Sequence, residues 1–210
     1  KPIIVADRTE SRGVVTCASY EVRQYGVRAG MATATAERKC PIAIRVDAHY
    51  EAYEEYSGKV KSFLRNYAPV LEAASIDEFY LDWTGCEKLF GGSLVQFARR
   101  IQKTIKTKFG LPCALGMASN KTTAKIACDQ AKPEGVLEIP DGRETEFLNL
   151  LSVKVLPGVG EVMLEKLNLR GIRTCGQLAK IDSEYLGLTF GKGGLRIQEY
   201  ARGHGDRFLT

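Results

Sequence analysis

The sequence lacks any long hydrophobic run, although apolar residues make up 44% of its 210 positions. Its apolar stretches are only a few residues long, whereas a membrane-spanning helix needs about 20 consecutive apolar residues. Residues 1–6 (KPIIVA) contain neither an apolar stretch long enough for a signal peptide nor a small-residue cleavage site. These absences predict a cytoplasmic protein without a membrane segment.

Closely spaced cysteine pairs and a strong net charge are missing as well. The six cysteines are scattered, and no two of them form a Cys-x-x-Cys pair of the kind that binds zinc. Four of them stand among apolar or small residues, which favours reduced, buried thiols over metal ligands or disulfides. The formal net charge is only +5. Where the basic residues stand therefore matters more than their number.

Short strand-like and helix-like segments alternate along the chain, whose length allows one large or two modest domains. Strands are predicted at residues 2–6, 14–17, 42–46, 70–74 and 113–118. A short helix is predicted at residues 18–25, and a long helix follows Asp47. A mostly apolar stripe on the long helix predicts a face packed into the core, and it consists of Tyr50, Tyr53, Ser57, Val60, Leu64 and Tyr67. The alternation predicts an α+β or α/β sheet layered with helices.

Residues 74–82 (ASIDEFYLD) place two adjacent carboxylates, Asp77 and Glu78, in a segment rich in strand formers. Successive side chains of a strand point to opposite faces, so a regular strand would bury one acid of the pair. Both can serve one site only where the strand begins or bends. Two carboxylates that close favour a cation between them, and Mg²⁺ or Mn²⁺ suits oxygen ligands and phosphate substrates. The alternative is a solvated strand end with ordinary surface acids.

Two sets of side chains are candidates for binding phosphates. Tyr20 and Arg23 stand three apart on a helix and share a face, which suits a triphosphate, with Arg as a bidentate partner. The alternative is a surface Arg that packs on a Tyr ring. A later helix, with Ser119 as its predicted N-cap, carries Lys121, Lys125 and Lys132 nearly on one line. These lysines could bind phosphates or could simply solvate the helix.

Residues 133–150 are rich in Pro and Gly and predict a boundary before a small helical module. There, residues 155–160 (VLPGVG) precede a helix predicted at 161–169, and another helix is predicted to start near Thr174. This is the helix-hairpin-helix pattern, in which Gly158 and Gly160 let backbone amides approach a phosphate at a helix N-terminus. Such a hairpin contacts the nucleic-acid backbone and does not read base sequence. The alternative is a purely structural turn. One more helix is predicted at residues 195–202.

Taken together, these segments resemble the Y-family translesion DNA polymerases, an ImpB/MucB/SamB-type family, and most closely their DinB or DNA polymerase IV branch. The matching segments are RGVV at residues 12–15, SYEVRQYGVR at 19–28, SIDEFYLD at 75–82, GMASNK at 116–121, AKIA at 124–127, KPEG at 132–135 and LPGVG at 156–160. Their order and rough spacing hold over nearly the whole chain.

The resemblance implies template-directed, low-fidelity DNA synthesis that can bypass lesions. It implies that Asp77 and Glu78 are catalytic metal ligands, with Glu78 nearest the primer 3′ end. Two Mg²⁺ ions, about 4 Å apart, would stabilise the attacking 3′-oxygen and the departing pyrophosphate, and Mn²⁺ could replace them. Tyr20, Arg23 and Lys132 would hold the incoming dNTP.

The resemblance also implies a domain layout and partners. Residues 1–48 would be mainly fingers, residues 49–139 a palm whose mixed or antiparallel sheet is backed by helices, and residues 140–210 an all-helical helix-hairpin-helix thumb. Gly158, Gly160, Lys121 and Lys125 would contact primer-template DNA. A sliding clamp would bind through a C-terminal region of the family that follows these segments.

The sequence departs from the family pattern in three places. The family begins with a strand that carries a further metal-binding Asp and an aromatic residue that excludes ribonucleotides, and both precede the Lys1-Pro2 pair at which this sequence starts. Asp7 lies after that strand, in a predicted turn, and is no substitute. Cys17 stands where a Thr is common, and the family's C-terminal DNA-gripping domain is absent. We therefore expect residues 1–210 alone to be inactive, although the resemblance implies that the parent protein is a polymerase.

Two other interpretations remain open at this stage. The chain could be a non-catalytic helix-hairpin-helix module that binds duplex DNA with a steep salt dependence and no Mg²⁺-linked nucleotide affinity. It could also belong to the UmuC-like, DNA polymerase V branch of the same family, whose members work with accessory subunits.

Overall fold

The computed structural model describes residues 1–6, 13–86, 88 and 90–210. Asp7 and Arg12, which enter the sequence argument, lie outside the described residues. The chain divides into two compact units, Lys1–Ser57 and Gly58–Thr210. No helix in the described part of the chain is long and apolar enough to cross a membrane.

The first unit is built on a three-stranded mixed sheet. Its strands β1 (Ile3–Val5), β2 (Cys17–Ala18) and β3 (Ile44–Val46) stand in the order β2-β1-β3, with β1 antiparallel to β2 and parallel to β3. The unit also contains helices α1 (Tyr20–Arg23) and α2 (Thr33–Lys39). The core of this unit consists of mostly small apolar side chains, namely Ile4, Ala6, Val15, Ala18, Val22, Val27, Ala36 and Cys40.

Helix α1 is shorter than the helix predicted at residues 18–25. Ala18 belongs to β2, where it pairs with Ile4, so the helix cannot begin before Ser19. The Ser19 hydroxyl accepts a hydrogen bond from the N–H of Val22 at 3.4 Å and another from the N–H of Ile3 at 3.0 Å. The same cap therefore begins α1 and ties it to β1. Strand pairing overrides the helical pattern at this position.

Helix α3 (Tyr50–Leu64) confirms the predicted long helix but only part of its predicted buried face. Val60 and Leu64 are buried, whereas Tyr50 and Tyr53 are 56% and 41% exposed. The two tyrosine rings meet edge to face, with centroids 6.0 Å apart. The prediction of a packed aromatic stripe is therefore wrong for the first turns of α3. Periodicity identifies a helix face but does not show where along the helix a packing partner exists.

The first half of the second unit combines a β-hairpin with a β-α-β arrangement. Strands β4 (Val70–Ala73) and β5 (Phe79–Asp82) are antiparallel, and β6 (Leu115–Met117) and β7 (Val136–Glu138) are parallel. Helix α4 (Leu94–Phe109) precedes β6, and α5 (Lys121–Ala131) connects β6 to β7. A core of aromatic and aliphatic side chains includes Val60, Leu64, Phe90, Phe97, Ile101 and Ile105.

Helix α5 lies directly on strand β6 because residue 116 is a glycine. A Cβ atom on Gly116 would stand 2.1 Å from the carbonyl oxygen of Ala124 and 2.2 Å from the backbone nitrogen of Cys128. No real side chain tolerates such distances, so only Gly permits this approach. The contact fixes the height of α5 above the strand.

The prediction that Ser119 caps α5 is wrong by one residue. Asn120 is the N-cap, and its Oδ1 accepts a hydrogen bond from a first-turn backbone N–H at 2.9 Å. The Nδ2 of the same buried side chain donates to the carbonyl of Gly203 at 3.0 Å. The N–H of Lys121 donates to the carbonyl of Asp206 at 2.8 Å. An amide can cap the helix and donate outward at once, which ties the last segment of the chain to the start of α5.

The second half of the second unit is helical, as predicted. It consists of α6 (Glu144–Asn149), a 3₁₀ turn (Val153–Val155), α7 (Glu161–Asn168), α8 (Cys175–Lys180) and α9 (Ser183–Ala201). Helix α9 begins well before the predicted residue 195 and is kinked at Gly191, whose φ of 62° and ψ of −156° are not helical. Leu148, Leu167, Leu178, Leu186 and Ile197 lie in the shared core.

Candidate active site

The two adjacent acids lie in the connection of the β4–β5 hairpin and not within a strand. The N–H of Ala74 donates to the carbonyl of Glu78 at 2.9 Å and closes the hairpin, so β5 begins one residue later. Asp77 is exposed, and its Oδ1 accepts a hydrogen bond from the Ser75 hydroxyl at 2.7 Å. This position frees both carboxylates from the alternation of strand side chains. The geometry agrees with the expectation that the pair stands where a strand begins.

Glu78 opens a row of four side chains with alternating charge. Its Oε2 lies 3.0 Å from the Nζ of Lys125, which lies 3.6 Å from the Oδ1 of Asp129. The same Asp129 oxygen lies 2.7 Å from the Nζ of Lys132. Lys125 and Asp129 are one turn apart on α5, so they share a helix face. The structure thus brings three of the predicted site residues, Glu78, Lys125 and Lys132, into one ionic row.

A second ion pair joins the hairpin to α5 one turn earlier. The Nζ of Lys121 lies 2.9 Å from both carboxylate oxygens of Glu72 in β4. The N–H of Thr210 donates to one of these oxygens at 2.9 Å. The Lys121 ammonium also stands 5.6 Å from the centre of the Tyr80 ring, and Tyr80 is the cross-strand neighbour of Glu72. Successive lysines of α5 therefore contact one acid in strand β4 and one in the connection of the hairpin.

The charges of these groups are set by their surroundings. Burial alone would lower the pKa of Lys125, but its hydrogen bond to Glu78 and the charges of Asp129 and Glu78 raise that pKa above its ordinary value. The hydrogen bond from Lys121 lowers the pKa of Glu72. Burial raises the pKa of Tyr80, and the negative charge of Glu78 acts in the same direction. At neutral pH Lys125 and Glu72 are therefore charged and Tyr80 is neutral.

The acidic turn can supply oxygen ligands to a divalent metal through the adjacent carboxylates of Asp77 and Glu78. No group of three His, Cys, Asp or Glu side chains placed to hold a metal occurs among the residues that the structure describes. Mg²⁺ commonly binds through one or two carboxylates together with substrate phosphates and water. Asp77 and Glu78 fit that donor set.

Tyr20 and Arg23 lie together on α1 in the first unit. The guanidinium carbon of Arg23 stands 4.7 Å from the centre of the Tyr20 ring, and its Nε donates to the carbonyl of Ala18 at 2.9 Å. Tyr20 is 51% exposed. The Arg therefore packs on the Tyr ring, as the alternative interpretation holds, yet both side chains remain accessible to an anion.

Gly158 and Gly160 form the predicted hairpin before α7. Gly158 has a φ of +89°, which favours glycine, and Gly160 is the N-cap of α7 without any side-chain cap. A Cβ atom on Gly160 would meet nothing within 4 Å. The buried side chains of Leu156 and Val159 hold the loop to the helical core. The first turn of α7 thus presents backbone N–H groups beside open space.

Sequence reasoning missed two residues of the ionic contacts, Asp129 and Glu72. Asp129 stands four residues after Lys125 and three before Lys132, which is the spacing of helical ion pairs, so the pattern was available. Glu72 had no such local signal, because its partner Lys121 lies 49 residues further along the chain.

The chain is similar in sequence and in fold to known DNA polymerases. The family model described as "impB/mucB/samB family" matches residues 1–129, and the one described as "DNA polymerase-iota, thumb domain" matches residues 154–204. DNA polymerase IV of Dehalococcoides mccartyi is 42% identical over 186 residues, which cover 89% of this chain and 47% of that protein. DNA polymerase IV of Shewanella oneidensis is 39% identical over 210 residues, which cover 100% of this chain and 58% of that protein. The chain thus spans about half the length of these relatives.

Solved structures of DNA polymerases superpose on the whole of this chain. The crystal structure of DinB from Sulfolobus solfataricus superposes with a TM-score of 0.89 at 32% identity, over 100% of this chain and 62% of the other. The insertion ternary complex of Dbh DNA polymerase superposes with a TM-score of 0.82 at 32% identity, over 100% of this chain and 61% of the other.

Proposed function

This chain belongs to the impB/mucB/samB family, the Y-family DNA polymerases of DinB or DNA polymerase IV type, and we propose that its parent protein is a lesion-bypass DNA polymerase. The reaction joins the 3′-oxygen of a primer to the α-phosphorus of a dNTP. The bond from that phosphorus to the β-phosphate oxygen breaks, and pyrophosphate leaves.

The acidic turn supports this proposal most directly. Asp77 and Glu78 would hold the divalent metal that a polymerase of this family implies, Mg²⁺ or Mn²⁺, with two ions in the complete site. The metal supplies positive charge that stabilises the attacking and leaving oxygens. The Ala74–Glu78 bond fixes the backbone of the turn, the Ser75 hydroxyl orients Asp77, and Lys125 contacts Glu78, all before any substrate binds. Such preorganisation lowers the barrier because no rearrangement is needed during the reaction.

Cationic and phenolic side chains would bind the incoming nucleotide. We assign Tyr20, Arg23 and Lys132 to the triphosphate. The accessibility of Tyr20 and the half-exposed ammonium of Lys132 support this assignment. Arg binds phosphate oxygens in a bidentate manner, and Lys acts as a point charge.

The helical half of the second unit would grip the DNA backbone. We assign the uncapped N-terminus at Gly158 and Gly160 to a phosphate, because backbone N–H groups at a helix start bind anions. Lys121 and Lys125 were predicted to contact DNA as well, and that stays a prediction, since both ammoniums are paired with acids. We further propose residues 1–48 as mainly fingers, 49–139 as palm and 140–210 as thumb. No residue is assigned to a sliding clamp.

The experiment that tests this function is Asp77→Ala in the protein at its natural length. We expect the variant to lose Mg²⁺-dependent primer extension while its affinity for primer-template DNA changes little, because the carboxylate acts on the metal and not on DNA. Asp141→Ala is the matched control, because Asp141 is 79% exposed in a loose pair with Arg207. Extension that survives in Asp77→Ala would overturn the assignment of the metal ligand. A wild-type protein that never extends a primer would overturn the function.

A further inference from the structure

The side chain of Glu78 is held by one partner in the described part of the chain. Its Oε2 contacts the Nζ of Lys125 at 3.0 Å, and the Glu78 side chain keeps 32% of its surface exposed. Lys125 also contacts Asp129 at 3.6 Å. The protein thus engages one carboxylate oxygen of Glu78, while part of the side chain stays accessible to a ligand.

The backbone that carries Lys125 is held firmly in place. Its helix lies on β6 through the contact at Gly116, and the neighbouring residues Ile126 and Ala127 are buried. The side chains of Lys125 and Glu78 are only 30% and 32% exposed. A lysine on a rigid, closely packed helix can deliver its charge to a defined place, unlike a lysine on a mobile surface.

The Lys121–Glu72 pair strengthens this argument. Its side chains are 22% and 15% exposed, and it links the same helix to strand β4 of the hairpin. Two successive turns of α5 thus contact the hairpin, one at β4 and one at the acidic turn. These contacts with acids favour a role for Lys125 within the acidic site.

We propose that Lys125 is a positioning residue for Glu78. It holds one oxygen of the catalytic carboxylate, leaves the other for the metal or the primer end, and offsets the repulsion between Asp77 and Glu78. This inference rests on the polymerase function proposed above. Asp129 is a second acidic neighbour of the Lys125 ammonium, at 3.6 Å, and helps to hold it in place.

A positioning lysine affects metal binding and turnover in opposite directions. Its positive charge competes with the metal for the carboxylates, so its removal strengthens metal binding. Its hydrogen bond orients Glu78, so its removal slows the reaction. A residue that only stabilises the fold would weaken both properties, and a residue that contacts DNA phosphates would mainly weaken DNA binding.

The test compares Lys125→Met, Lys125→Arg and the control Lys106→Met in the protein at its natural length. Lys106, on α4, forms an exposed ion pair with Glu134 and is not part of the proposed site. Mn²⁺ affinity is measured by electron paramagnetic resonance on a complex with a dideoxy-terminated primer, in which no turnover occurs. The value of kcat for primer extension and the salt dependence of DNA binding are measured in parallel.

For Lys125→Met we expect kcat to fall by about tenfold or more and Mn²⁺ to bind at least about threefold tighter. The slope of log affinity for DNA against log salt should not change. Lys125→Arg should recover most of kcat because it restores a charged donor, and Lys106→Met should match the wild type. Lys125→Gln replaces the Met variant if thermal unfolding shows that the latter does not fold.

Three outcomes would overturn the proposal. One is an unchanged kcat in the neutral variant, and another is unchanged or weaker Mn²⁺ binding. The third is a salt slope that falls by about one with kcat intact, which would mark Lys125 as a phosphate contact. In each case a wild-type protein that extends primers leaves the polymerase function standing. A wild-type protein that does not extend primers overturns both.

Discussion

Asp77 and Glu78 are neighbours in sequence but differ in their surroundings. Asp77 is exposed and bonded to the hydroxyl of Ser75, whereas Glu78 is half-buried and paired with Lys125. Glu78 is thus held by a charged partner on helix α5, whereas Asp77 is held by a hydroxyl two residues before it in the same turn. The two carboxylates are therefore oriented by different parts of the fold.

Lys132 is the last member of the charged row. Its ammonium pairs with Asp129, and its side chain is 46% exposed. Lys132→Ala should raise the Michaelis constant for dNTP by about tenfold or more, because a hydrogen bond to a charged group contributes about 1.5–3 kcal/mol. Its effect on DNA affinity should be smaller. Steady-state extension kinetics at varied dNTP, with Lys106→Ala as the control, check this expectation. An unchanged nucleotide dependence would contradict the role of Lys132.

Single residues also show how far sequence reasoning reaches. The acids at 77 and 78 could be identified because two carboxylates at the entry to an apolar strand are conspicuous. Their partners could not be derived in the same way. Lys125 was placed on a basic row, but its contact with Glu78 depends on how α5 lies across the hairpin, which no local pattern encodes.

At the scale of secondary structure, the contact between α5 and β6 sets the position of the charged row. Gly116→Ala should lower the free energy of unfolding by about 1–3 kcal/mol, because the added Cβ would overlap backbone atoms of α5. Gly58→Ala is the matched control. Gly58 lies within α3 with nothing within 4 Å of its added Cβ, so that change should stabilise the protein by about 0.5–1 kcal/mol.

Denaturant unfolding of both glycine variants gives the two free energies. Equal effects of the two substitutions would contradict the close approach of α5 to β6.

The ends of a helix are easiest to predict where residues next to those ends form the caps. Helix α4 is capped by the Ser93 hydroxyl at its start and by Gly110, with a φ of 71°, at its end, and both caps can be read from the local sequence. Helix α1 and the start of α5 were misplaced, because Ala18 is drawn into a strand and Asn120 bonds a distant segment. Local signals mark a boundary only where tertiary contacts do not compete with them.

At the scale of the whole molecule, the predicted α+β class with a helical module at its end is confirmed. The family prediction is confirmed too, since the impB/mucB/samB match includes the segment that carries Asp77 and Glu78. The predicted borders of fingers, palm and thumb stay predictions, as do the roles of the site residues.

The sequence-based expectation that residues 1–210 alone are inactive is tested directly on that polypeptide. Nucleotide is titrated with and without Mg²⁺, and primer extension is assayed in the same buffer. We expect DNA binding that weakens steeply with salt and no extension, because no group of three His, Cys, Asp or Glu side chains placed to hold the metal pair occurs among the described residues. Measurable Mg²⁺-dependent extension would contradict the expectation. The natural-length protein serves as the positive control.

The bonds between the start of α5 and the last residues of the chain have a mechanical consequence. Asn120 and Lys121 hold Gly203 and Asp206, and Glu72 holds Thr210. A pull on that terminal stretch would therefore be transmitted to the very helix that bears Lys125 and Lys132. Because the contact at Gly116 holds α5 on β6, this packed helix would bear the load before it could reach the acidic turn.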